Sequence, residues 1–301
     1  MTVGLPVANE PLDYVRDAVL SVLNQSFQDW ELIVVVDGAP RATVEFLRSF
    51  EDARVRVIAH PDSRGLAARL NEISGLARGE FLARMDADDI MVSSRLAHQL
   101  RVLAETKADV VTGRAVIVDE ETRIVTESPH VSARVDAESM LQKTPFIHPT
   151  VIARTEWFRT HPYDETLLRC QDKALWITAA SDSEYFRDPE PILFYRVMND
   201  LNPRKYARSA RYERKIIRRY GPPRIGCIRT ASIVAQSLLK QLVVRVASAL
   251  GQGAIVMRRR YDGSTTDAAR WSEELRSSIT PIDGDDARTI ELDNEASEEK
   301  R

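Results

Sequence analysis

The chain has 301 residues, 44% of them hydrophobic and 29% charged, with a formal net charge of -3. That composition excludes a fibre and a repeat array, and the length suffices for one large core or two modest ones. The near-neutral balance hides a polarity: Arg and Lys crowd the segment from Arg196 to Arg260, whereas the residues from Asp283 onward are mostly acidic. Such asymmetry points to a surface partner, with anionic lipid one candidate. The two cysteines, Cys170 and Cys227, have neither metal-ligand nor redox spacing and read as packing residues of a reducing compartment. No basic region followed by an apolar one opens the chain as a secretory signal, and no uninterrupted apolar run approaches a bilayer span.

In chain order, Thr2 to Val7 reads as a first strand ending near Asn9, and Leu12, Val15, Ala18, Val19, Val22 and Leu23 then recur at helical spacing behind Pro11. Trp30 to Val36 is continuously apolar and β-branched, which fits a strand buried on both faces of a parallel sheet. It ends in Asp37-Gly38. A helix near Thr43 to Phe50, a strand at Val55 to Ile58, a turn at Gly65, a helix through Asn71 to Ala77 and a strand from Phe81 continue the alternation. Strand and helix in repeated succession imply an α/β layer with a mostly parallel sheet.

The strand from Phe81 ends abruptly in Asp86-Ala87-Asp88-Asp89. In open α/β sheets ligands bind beyond the carboxyl ends of the strands, so acids there point at a site. Two aspartates separated by one residue leave a strand on the same side, a spacing that suits one hard divalent cation held through oxygen. The competing reading is a loop whose aspartates make Asx-turns and cap the helix that begins near Val92 or Ser93.

Beyond the acids, Arg95 to Ala104 reads as a helix and Asp109 to Val118 as a strand, after which the alternation loosens. Phe146 to Val151 is an apolar segment interrupted by His148 and Pro149, Asp172 to Ala180 reads as a short helix, and Pro191 to Val197 as a strand. Pro203 to Tyr220 suits an exposed basic helix. Residues 221–261 read as a basic amphipathic helical extension, with Ile233, Leu238, Leu242, Val246 and Leu250 at helix-face intervals beside Arg229, Lys240 and Arg245. Its charges exclude a simple spanning helix; an interfacial helix on anionic lipid and a packing or dimer helix both remain open. Residues 262–301, rich in Ser, Thr, Asp and Glu, read as an acidic, mostly disordered tail.

Taken together, these segments resemble glycosyltransferase family 2. The pieces are Asn9 after the first strand, Ser21 to Phe27, Asp37-Gly38, Gly65-Leu66-Ala67 with Leu70-Asn71, Gly79-Glu80-Phe81, the Asp86 to Asp89 cluster, His148-Pro149-Thr150, Gln171-Asp172 with Leu175-Trp176, and Tyr195-Arg196. The resemblance covers roughly the first two-thirds of the chain, and its specificity lies in the ordered set rather than in any one piece. It implies a GT-A fold over residues 1–220, with a Rossmann-like, mostly parallel sheet flanked by helices. It also implies an inverting transfer from a nucleotide-diphosphate sugar, UDP-sugars being the family's habit, to a glycan or lipid-linked acceptor in surface polysaccharide or glycolipid synthesis. By the same resemblance Asp37, with Pro6 and Asn9, contacts the nucleotide base; Asp86 sits at the nucleotide; Asp88 binds Mn²⁺ or Mg²⁺; and Asp172 is the general base. His148, Gln171 and Arg196 are candidate acceptor or phosphate contacts. The expected location is the cytoplasm or the cytoplasmic face of a membrane, with nucleic acid not a partner.

Three positions depart from the family pattern: Val36 where an additional aspartate is common, Gln171 in place of a glutamate, and Met198 where a histidine often follows the Tyr-Arg pair. Gln171 and Met198, with the long C-terminal extension, support an alternative, a catalytically silent, membrane-associated binder of nucleotide sugars or scaffold. Phosphatases of the haloacid dehalogenase type also place Asp-x-Asp after a strand, but they expect Thr or Val where Ile90 stands. A Rossmann dehydrogenase needs a glycine fingerprint that Pro6-Val7-Ala8-Asn9 does not offer.

Overall fold

The computed structural model describes residues 1–129, 137–142, 146–197, 203–249 and 267–281. The first half runs β1 (Thr2–Val7), α1 (Leu12–Leu23), β2 (Glu31–Asp37), α2 (Arg41–Arg48), β3 (Val55–His60), α3 (Leu66–Leu76) and β4 (Phe81–Arg84). The four strands lie parallel in the order β3-β2-β1-β4. On β2, Leu32, Val34 and Val36 face one layer of the core while Ile33 and Val35 face the other, which is why that run is apolar without alternation. Helices α1 and α2 cover the first face; α3 covers the second. Gly65, at φ 87°, begins α3 in a left-handed conformation that side-chain-bearing residues resist, and the helix starts five residues earlier than the sequence pattern indicated.

The second half is mixed. It comprises β5 (Ile90–Met91), α4 (Arg95–Thr106), β6 (Val110–Val118), β7 (Ile124–Glu127), α5 (Ala137–Gln142), a 3-10 turn at His148–Thr150, β8 (Ile152–Arg154), α6 (Thr155–Thr160), α7 (Gln171–Ala179) and β9 (Tyr185–Arg196). β8 bridges the halves by running antiparallel to both β4 and β6. β9 then lies parallel to β6, and β5 pairs antiparallel with β9 at the sheet's edge. The two-residue β5 and the hairpin strand β7 escaped the sequence reading because neither is long enough to display a period.

Three helices follow in sequence: α8 (Pro203–Tyr220), α9 (Pro222–Ile225) and α10 (Cys227–Ala249). The reading of α8 as exposed holds for one face alone, since Ala210, Arg214, Ile216 and Ile217 are buried. Ile216 and Ile217 pack with Ile233 and Val234 of α10 into the same core layer as α3, α6 and α7.

One part of the tail is helical. Within residues 262–301, Ala268–Ile279 forms α11, and it packs on the sheet edge. Trp271 is 2% exposed and, with Leu275, joins Ile90, Val92, Val116, Val118 and Phe194 in a separate apolar cluster. Trp271, Leu275 and Ile279 recur every four residues, so a polar segment with one apolar stripe acquires a fold by docking on a core that already exists. The expected disorder of the remaining tail, and the Met198 position, lie outside the described residues.

Candidate active site

Parallel packing brings the carboxyl ends of β1, β2 and β4 to one edge. In the register, Pro6 sits beside Val35 and Gly4 beside Arg84, and the Met85 N–H continues the ladder to the Gly4 carbonyl at 3.0 Å. Pro6 is buried within β1, whereas Asn9 is exposed just past its end. Asp37 closes β2, two strands from β4 and therefore about 10 Å away.

Asp37 is fully engaged by its own chain. Its carboxylate accepts from Ser63 Oγ at 2.7 Å, the Arg64 and Gly65 N–H groups at 2.8 and 2.9 Å, and Arg69 Nε at 2.6 Å. Burial pushes this carboxyl up, but those bonds outweigh burial and hold it below the ordinary aspartate value. Arg69 is 2% exposed and also donates to Glu72 and to the Asp62 carbonyl. The β3–α3 loop is therefore moulded around Asp37, and the carboxylate contacts expected for the base are taken by protein donors.

The acids after β4 are arranged in the opposite way. Carboxylate oxygens of Asp86, Asp88 and Asp89 lie within 4.8 Å of one another. Burial, then the charge of Asp86, with Glu10 adding to it, pushes Asp88 up to about 6. Asp89 is 1% exposed, and burial followed by the charges of Asp88 and Asp86 raises its carboxyl well above the ordinary value. One of its oxygens accepts the Arg196 N–H at 2.9 Å; the other is buried without a hydrogen-bond partner. An all-oxygen donor set carrying one orphaned buried oxygen fits a hard divalent cation such as Mg²⁺ or Mn²⁺.

Arg84 is the cation behind these acids. It is 3% exposed, ion-pairs with Asp86, and has Nε and Nη1 without hydrogen-bond partners. Alternation along β4 puts it on the face of Leu82, the side of α3, α6 and α7. There its charge also reaches Tyr163, His148 and Asp172. Tyr163 Oη lies 2.8 Å from His148 Nε2, and Asn71 Nδ2 fixes the Tyr163 carbonyl at 3.0 Å. Burial, reinforced by Arg84, lowers His148 well below its usual value, so the imidazole is neutral at pH 7.

Asp172 occupies the first turn of α7, and the helix N-cap is Cys170 in a left-handed conformation at φ 58°. Burial raises Asp172, opposed by the Lys173 N–H and by Arg84. Gln171, immediately before it, is buried with Oε1 unpartnered. Asp86, Asp88, Asp172 and His148 thus share the surroundings of Arg84, and Gln171 flanks them.

Arg196 is placed elsewhere. Its guanidinium donates to the Asp88 carbonyl at 2.9 Å and to Thr122, lies 3.5 Å from Asp17 and stacks 3.9 Å over the Tyr14 ring. In this arrangement Arg196 braces the acid loop through backbone groups. Sequence reasoning also missed Glu10, Arg84 and Tyr163. Glu10 adjoins Asn9, and a charge inside an apolar strand was the available signal for Arg84. On the far side of the loop, Glu274 of α11 accepts from the Ser93 N–H at 2.8 Å and its hydroxyl at 2.6 Å.

The profile of Glycosyl transferase family 2 matches residues 2–167, more than half of the chain. The chain belongs to glycosyltransferase family 2. The match takes in the acids after β4 and stops short of Asp172. An uncharacterized glycosyltransferase of Methanocaldococcus jannaschii is 27% identical over 67% of this chain and 72% of its own length. The putative glycosyltransferase EpsE of Bacillus subtilis is 29% identical over 54% of this chain, which spans 60% of that relative. The Escherichia coli protein named UDP-Glc:alpha-D-GlcNAc-diphosphoundecaprenol beta-1,3-glucosyltransferase WfgD is 27% identical over 36% of this chain and 43% of its own length. Among solved structures, Staphylococcus aureus TarS 1-349 in complex with UDP-GlcNAc superposes with a TM-score of 0.60 over 93% of this chain and 82% of that one, at 15% identity. The fold is GT-A, and the protein is a glycosyltransferase.

Proposed function

We propose that the protein transfers a sugar from a UDP-sugar to a hydroxyl of a glycan or lipid-linked glycan acceptor, with inversion at the anomeric carbon, in the cytoplasm. The observation that supports this reading best is the pair of acidic stations sharing Arg84: Asp86, Asp88 and Asp89 at the end of β4, and Asp172 at the start of α7. The two stations offer a place for the leaving diphosphate and a base for the attacking hydroxyl.

Pro6, Asn9 and the loop moulded by Asp37 form the base end of the donor pocket, with Asp37 acting through the backbone it positions. Asp86, fixed by Arg84, faces the ribose. Asp88 and Asp89 would hold Mn²⁺ or Mg²⁺, and such an ion, when bound, offsets the charge that accumulates on the departing diphosphate. Asp172 accepts the proton of the acceptor hydroxyl; burial raises its proton affinity, which a base requires, while the Lys173 N–H and the Arg84 charge oppose that rise. Attack from the side of Asp172, opposite the diphosphate, inverts the anomeric centre. Neutral His148, hydrogen-bonded to Tyr163, and Gln171 line the acceptor side.

The names of two relatives favour the substrate class: the E. coli protein is named for UDP-Glc and a diphosphoundecaprenol-linked acceptor, and TarS was crystallised with UDP-GlcNAc. The test is product stereochemistry. Incubation with UDP-glucose or UDP-GlcNAc and Mn²⁺, followed by proton NMR of the glycoside, should give a β-linked product from the α-linked donor. An α-linked product would contradict the role given to Asp172.

A further inference from the structure

We propose that α10 is a docking surface for an anionic lipid bilayer. The helix has 23 residues, about 34 Å in length at 1.5 Å per residue, and it carries two apolar faces. The inner one, Ile233, Val234 and Val244, is buried. The outer one is not: Ile228 is 88% exposed and Leu239 62%, and Leu238, Leu242, Val243 and Val246 are each about half exposed. At 100° per residue these six side chains fall on one side of the helix, with Ala231 and Ala235 filling the gaps. The patch is of the order of 600 Å², at the upper end of what soluble monomers leave uncovered.

The charge pattern selects the occupant. Arg229 and Lys240 flank the stripe on one side and Arg245 on the other, all three exposed, and the helix contains no Asp or Glu. A second copy laid on the same face would oppose cations to cations with no acid on either helix to receive them. A bilayer rich in anionic headgroups accepts both features: apolar side chains enter the acyl boundary while Lys and Arg remain among the phosphates. A spanning role is excluded, since no helix among the described residues is long and apolar enough to cross a membrane. The neighbouring helix α8 adds Arg204, Arg208, Arg211, Lys215 and Arg218 on its exposed side, so the segment as a whole is attracted to negative surfaces.

Flotation of the full-length protein with vesicles tests this. Vesicles of phosphatidylcholine with about one-third phosphatidylglycerol should carry the protein at least about tenfold more efficiently than phosphatidylcholine alone. The double variant Leu239→Asp/Leu242→Asp should lose at least about tenfold of that partition, and Lys240→Gln/Arg245→Gln about twentyfold. All four side chains are exposed, and UDP binding by both variants, measured by calorimetry, reports that the fold is intact. Absence of vesicle binding, equal binding to neutral and anionic vesicles, or unchanged binding by the Asp double variant overturns the proposal. So does a wild-type dimer in sedimentation that the Asp double variant converts to monomer, which would assign the face to a second copy. The surface is independent of the transferase reading: a wild type that floats but does not bind UDP would contradict that reading and leave this one standing.

Discussion

At the end of β2, Asp37 accepts four hydrogen bonds, is paired with a buried arginine and titrates below the ordinary aspartate range. At the end of β4, Asp88 and Asp89 are crowded by like charge, titrate above it and leave a buried oxygen without a donor. The two stations lie on the same sheet edge with the same residue type, so their difference is one of surroundings. A satisfied carboxylate builds the protein; carboxylates held together unsatisfied are built for something the protein itself does not supply.

The contrast can be sharpened first at the third station. Asp172→Asn should lower kcat by about 10²–10⁴-fold while leaving UDP affinity unchanged, read by steady-state turnover beside calorimetry. Retained turnover would move the base elsewhere. The mirror-image expectation holds for Asp37→Ala, which strands buried Arg69 and should cost about 3–5 kcal/mol of stability in chemical denaturation. If that variant instead unfolded like wild type and lost only UDP affinity, Asp37 would be a ligand and the contrast would fail.

Acidity separates the stations in solution, and the signs are opposite. Asp37 has a depressed folded value, so its stabilisation is complete above the ordinary aspartate value of 3.8 and is lost as pH falls through the folded value. Asp88 has a raised one, so the ion-free fold gains stability as pH falls from neutrality through about 6 toward 3.8. Over that window protons compete with a cation, and the Mn²⁺-induced rise in melting temperature should shrink by up to about tenfold in apparent affinity per pH unit. Thermal scans from pH 8 to 5, with and without Mn²⁺, check the sign for Asp88, and scans continued below the ordinary aspartate value check the sign for Asp37.

The smallest effect belongs to the contact of α11 with the segment after the acids. Glu274→Ala removes two hydrogen bonds from Ser93, four residues beyond Asp89, and should cost about 1–2 kcal/mol in stability with a modest loss of Mn²⁺ affinity. A variant with wild-type stability and metal response would make α11 a passive cover.

Legibility followed the range of the interactions. The first-half strands and the acids were readable because an apolar run ending in carboxylates is a local pattern. The partners of those acids were not: the charge of Arg84 reaches Asp172, and Arg196 bonds to Asp88 and Asp89, across about a hundred residues of sequence. Arg196 illustrates the limit. Its position beside Tyr195 matched the family pattern, yet the fold spends it on backbone carbonyls and Asp17. In α11 the four-residue recurrence of Trp271, Leu275 and Ile279 was visible, and overall polarity hid it, because composition reports whether a segment can fold alone rather than whether it can dock.

The most direct test of the central claim is calorimetric titration of UDP into the wild type and Asp88→Ala, each with and without Mn²⁺. The account predicts binding that Mn²⁺ strengthens in the wild type and not in the variant, with the fold of both intact. UDP affinity indifferent to Mn²⁺, or enhanced equally in both proteins, would contradict the assignment of the acids after β4 as the donor site's metal station.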